Sequence, residues 1–177
     1  MVQKTADRPI ITATRDDGVS VRIRSPDRKF TPPHDLVHFA VEKGLLLPRG
    51  FWGSVASGAK FDGMEVVGGR QKPKAKEVSA RVIAANRTHL SRAEALVGAF
   101  QTVLHEGITP PDRALRQRLQ SIGAALDEAL VQSTWRDLLA LRQQWLDLPQ
   151  GQTIRLDWQT ATSNQATAKF KSGRRMG

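Results

Sequence analysis

Strand signals stand at opposite ends of this chain, with helical periodicity between them, and that arrangement limits the fold more than any other feature. From Ile10 the sequence runs Ile-Ile-Thr-Ala-Thr, turns at Arg15-Asp16-Asp17-Gly18, and resumes with Val19, Val21 and Ile23 alternating with Ser20, Arg22 and Arg24. Period-two alternation makes one face of a strand apolar, and Asp-Gly supplies residues that tolerate the positive φ of a tight hairpin turn. After the turn signal Pro149-Gln150-Gly151, Ile154, Leu156 and Trp158 again alternate with polar residues. A lone hairpin is marginal in water, so the apolar faces at both ends need a shared sheet and a covering layer. The expectation is an α+β fold. Its small antiparallel sheet combines the N-terminal hairpin and the C-terminal strand 153–158, with Met64 to Val67 as a further candidate, packed on four or five helices.

Helices fill the interior. Thr31-Pro32-Pro33 reads as a start, with Gly44 as the stop, because Thr can cap and proline is tolerated in the first turn. The segment 51–59 has no readable preference. From Lys74 the apolar positions Val78, Val82, Ile83, Leu90, Ala93, Val97, Phe100 and Leu104 mark a helical stripe. Ser91-Arg92-Ala93-Glu94 has capping-box spacing, which predicts two helices broken near Thr88. Leu115, Leu119, Ile122, Leu126 and Leu130 predict one amphipathic helix after Pro110-Pro111. Ser133-Thr134 then caps a last helix carrying Trp135 and Trp145. Residues 1–158 read as one domain and 159–177 as a basic, flexible tail.

The 177 residues contain no cysteine, which excludes disulfides, thiol nucleophiles and thiolate metal sites. No apolar run reaches the roughly 18–20 residues that span a bilayer, so a soluble, cytoplasmic protein without membrane contact is expected. The net charge of +10 is concentrated: +3 over residues 1–30, +3 over 60–81 and +4 over 149–177, with the helical stretches neutral. That pattern points to a basic binding module with nucleic acid or an acidic protein as partner. Arg22, Arg24, Lys72, Lys74, Lys76, Lys169, Lys171, Arg174 and Arg175 are its phosphate-contacting candidates. With no tyrosine and 6% aromatics, single-strand binding by base stacking has little material.

The alternative is a metal-dependent hydrolase. In Pro33-His34-Asp35-Leu36-Val37-His38-Phe39-Ala40-Val41-Glu42, helical geometry puts His34, His38 and Glu42 within about 80° of arc, off the apolar stripe. Two imidazoles one turn apart can grip one divalent metal ion. Glu42 is the candidate third ligand, and Asp35 the candidate base that activates a metal-bound water. The zincin metalloprotease helix reads His-Glu-x-x-His; this chain has Asp35 in the glutamate's place and none of the fuller zincin motifs, so that family is set aside. Nucleotide and serine-hydrolase motifs are equally missing. Gly53 to Gly58 has the two glycines of a phosphate loop, but Ala59 stands where lysine is needed. Phe51-Trp52, flanked by glycines, is either a core plug or the wall of a pocket.

Overall fold

The computed structural model describes residues 1–25, 30–107 and 111–158, with the side chains of 111 and 112 excepted. In chain order the elements are β1 (Val2–Gln3), β2 (Ile10–Thr14), β3 (Ser20–Arg24), α1 (His34–Gly44), α2 (Phe51–Ala56), β4 (Glu65–Gly68), α3 (Ala75–Glu106), α4 (Pro111–Ser121), α5 (Glu128–Asp147) and β5 (Thr153–Ile154). The five strands form one antiparallel sheet in the order β4-β3-β2-β1-β5, packed on the helices, so the α+β architecture holds.

The Asp17-Gly18 turn forms as expected. Gly18 has φ +80°, and the Asp17 carboxylate accepts from the Val19 amide at 3.1 Å. In the hairpin Ile11 faces Ile23 and Ala13 faces Val21, while the exposed Arg22 lies opposite Thr12. The C-terminal strand is shorter than its alternation suggests and does not pair with the hairpin or with β4. It pairs with β1, Val2 lying opposite both Ile154 and Ile11. Two residues are too few for a periodic signal, so β1 is invisible to sequence patterning even though it joins the hairpin to β5.

Helix α1 is the hub, packing against α2, α3 and α5. Leu36, Val37 and Val41 are fully enclosed, each contributing about 1.5–3 kcal/mol of burial, and this anchors the helix with its other arc turned to α3. Its start differs from the Thr31 cap expected: the cap position is Pro33, with no side-chain cap bond, and Pro33 O accepts from the amides of Leu36 and Val37.

Three helix expectations are corrected. The predicted break near Thr88 is absent, and α3 runs unbroken for 32 residues. Its second half is held by Leu96, Val97, Phe100 and Val103 in the core. Its first half is held instead by polar contacts: Ser79 Oγ accepts from the Lys60 amide at 2.8 Å, and Asn86 Nδ2 donates to Ser54 Oγ at 3.0 Å. The apolar stripe of this half, Val78, Val82, Ile83 and Leu90, is only half-buried. The stripe 115–130 is split between α4 and α5 by Gly123, at φ +67°. Helix α5 begins at Glu128, not after Ser133, because the Asp127 side chain caps it by accepting from the Leu130 amide at 2.9 Å.

Candidate metal centre

The i,i+4 spacing of His34 and His38 brings both imidazoles onto the face of α1 that meets α3. Their Nε2 atoms are 3.1 Å apart. Glu94, on α3, reaches the same point: its Oε2 is 3.3 Å from His38 Nε2 and 3.7 Å from His34 Nε2. These three side chains are a group of the kind that can hold a metal ion. The His38 side chain is almost fully enclosed at 4% exposure, whereas His34 is 35% and Glu94 58% exposed, so the cluster opens to solvent on the Glu94 side.

The far edges of both rings are engaged. His38 Nδ1 lies 2.8 Å from Glu42 Oε1, and His34 Nδ1 lies 2.6 Å from Gln101 Oε1. Gln101 follows Glu94 by two helical turns, which puts both on the face of α3 turned to α1. Glu42 is fully buried, and its oxygens also accept from the backbone amides of Phe51 at 2.8 Å and Trp52 at 3.0 Å. That close approach explains the glycine before Phe51, because a Cβ on Gly50 would lie 2.5 Å from the Glu42 carboxyl. The half-buried Phe51 packs beside the His38 ring with centroids 5.7 Å apart, and stacks on Phe61 at 4.9 Å. Trp52 plugs the core.

Electrostatics follow from this enclosure. Burial alone would lower the pKa of His38, but its bonds to Glu42 and Glu94 and the charge of both carboxylates outweigh burial and raise it to about 9. The Glu94 carboxylate raises His34 against burial and the repulsion of His38. In return the two imidazoles hold Glu94 well below the usual carboxylate range. Without a metal, the cluster is a carboxylate bracketed by two imidazoles, each of whose pKa it raises.

The predicted residues separate by position. His34 and His38 converge. Glu42 sits behind the His38 ring, on the edge away from the Nε2 atoms, and Glu94 takes the place of the third donor. Asp35 is buried on another side of α1: its Oδ2 accepts from Ser25 Oγ at 2.5 Å, and its backbone carbonyl accepts from Trp52 Nε1 at 3.0 Å. In the sequence Glu94 stands out individually as part of a capping box, and Gln101 belongs to no motif. A heptad-spaced polar pair inside the apolar stripe of α3 is the one pattern by which both could have been found. Arg22, Arg24, Lys72, Lys74 and Lys76 are exposed, while Lys169, Lys171, Arg174 and Arg175 lie outside the described residues. His89 is exposed on α3, and His105 packs on Phe30 with ring centroids 4.3 Å apart.

Clefts of about 430 Å³ between α4 and α5 and about 460 Å³ between the sheet and α1–α2 contain none of the converging donor atoms. Among the described residues no helix is long and apolar enough to cross a membrane. Comparison with protein-family models, with curated proteins and with solved structures finds no match.

Proposed function

We propose that the chain is a divalent-metal hydrolase, with His34, His38 and Glu94 as ligands and a metal-bound water as the nucleophile. The observation that carries this reading is the donor triangle. Its edges of 3.1, 3.3 and 3.7 Å bracket the roughly 3.3 Å edge of a tetrahedron with metal–ligand distances of about 2.0–2.1 Å. Imidazole and carboxylate donors suit zinc, iron, nickel or manganese better than calcium or magnesium. The exposure of Glu94 and His34 favours an open coordination position over a closed structural site. A divalent ion held there would lower the pKa of a bound water toward neutrality and so supply a hydroxide nucleophile. Asp35 and Glu42 are engaged inside the fold, so neither faces the point where the three donors converge. Metal analysis of the purified, untagged protein should find a stoichiometric divalent ion, and added zinc, manganese or nickel should raise the melting temperature. A metal-free protein indifferent to all three, with His38→Ala indistinguishable from wild type, overturns the reading.

A second reading, a basic module for nucleic acid or an acidic protein, draws on a different region. Arg22 and Arg24 lie exposed two residues apart on β3, and Lys72, Lys74 and Lys76 are exposed around the start of α3. Phosphate contacts from such residues release counterions and carry little sequence preference. Fluorescence anisotropy with a labelled duplex at two salt concentrations tests it. Absence of binding at low salt removes nucleic acid and leaves a protein partner. Both readings suit the cytoplasmic location expected above.

A further inference from the structure

We propose that Glu42 and Gln101 are the positioning residues of this centre, each accepting the Nδ1 proton of one histidine so that both Nε2 atoms present their lone pairs to a metal beside Glu94. The proposal rests on the metal-centre reading and goes beyond it by assigning how the donors are held and how their strengths differ. For His38 the hydrogen bonds decide the tautomer. The Phe51 and Trp52 amides can only donate, one to each oxygen of Glu42, so the oxygen facing Nδ1 is an acceptor and the ring must donate to it. Gly50, which a side chain would drive into the carboxyl, keeps that arrangement possible.

Gln101 performs the same task with a neutral group. Its Oε1 faces His34 Nδ1 at 2.6 Å, while its Nε2 is buried with no hydrogen-bond partner among the described residues. A buried donor left unmet needs a reason. Here the reason is the carbonyl at the other end of the same amide, which an aliphatic side chain of equal size would not supply. Glu94 and Gln101 therefore act as ligand and orienter from one face of α3, as His38 and Glu42 do from α1. A carboxylate acceptor makes its imidazole a stronger donor than an amide does, so His38 is the tighter of the two nitrogen ligands.

The test uses the full chain, zinc titrated against a competing chelator, and cobalt(II) absorption as a report on the ligand set. Glu42→Gln cannot accept at both amides and the ring, and should weaken zinc binding about 10–100-fold; Gln101→Leu should weaken it about tenfold. Gln101→Glu should tighten it about tenfold by giving His34 a carboxylate partner. The cobalt bands should keep their pattern in all three, and the loss of zinc affinity in Gln101→Leu should exceed any loss of stability in the metal-free protein. If Glu42→Gln fails to fold, the two Gln101 variants decide alone. Zinc bound equally well by wild type, Gln101→Leu and Gln101→Glu overturns the positioning role and leaves the centre standing. Affinity that falls only in step with metal-free stability also overturns it. A wild-type chain that takes up no zinc overturns the centre itself.

Discussion

His38 meets a carboxylate on each edge of its ring, Glu42 inside the fold and Glu94 at the surface, so one side chain ties core packing to the candidate centre. His38→Ala should abolish metal uptake and, in chelator, lower unfolding free energy by about 3 kcal/mol as Glu42 loses a buried partner. Urea titration of both proteins checks this. The same ring sets a pH window. Its folded-state pKa of about 9 lies above the ordinary value of 6.5, so its contribution is full below pH 6.5 and lost as pH rises through 9. The metal-free protein should therefore lose melting temperature between pH 6.5 and 9. Zinc affinity should rise over the same window, because the metal competes with the proton for Nε2. Thermal scans at stepped pH, with and without chelator, measure both trends, and the His38→Ala variant should show a shallower loss across the window, the part that His34 beside Glu94 still contributes.

At the scale of elements, the site is the meeting of α1 and α3, and the turn between α1 and α2 braces it. Two glycines there have opposite fates. Gly50→Ala drives a methyl into the Glu42 carboxyl and should cost about 2–3 kcal/mol while loosening zinc binding. Gly98, on α3 between Glu94 and Gln101, has open space where a Cβ would point, with nothing within 4 Å, so Gly98→Ala should add about 0.5–1 kcal/mol through helix propensity alone. Chemical denaturation of the two variants in parallel gives the comparison, with equal effects counting against the geometry. The unbroken α3 matters to the site as well. A break near Thr88 would free the turn carrying Glu94 from the Asn86–Ser54 bond that ties α3 to α2.

Across the whole molecule, the N-terminal segment is clasped to the segment 145–154. Beyond the β1–β5 pairing, Lys4 Nζ donates to the carbonyls of Trp145 at 3.0 Å, Leu146 at 3.2 Å and Leu148 at 2.8 Å, and lies 5.6 Å from the Trp145 ring centre. A cation at those terminal carbonyls satisfies acceptors the helix cannot and opposes its dipole. Lys4→Ala should cost about 1–2 kcal/mol, visible as a lowered melting temperature with the zinc stoichiometry unchanged. For the basic reading, Arg22→Ala with Arg24→Ala should reduce the dependence of log K on log salt by about 2 if both contact phosphate. Anisotropy over a salt series measures it. The sequence by itself determined what local spacing encodes: the Asp17-Gly18 hairpin, the amphipathic stripes, the strand at Ile154 and the pairing of His34 with His38 on one helical arc. Only the tertiary structure decided the partners of those pieces. Glu94 and Gln101 reach the histidines because α3 packs on α1, a contact 56 and more residues away in sequence that no periodicity records. Glu42 lies on the same arc as His38, but the turn back to Phe51 and Trp52 brings amides to its carboxyl and places it behind the ring. Spacing along a chain specifies which side chains share a face; the packing of another element against that face specifies which become ligands and which hold them.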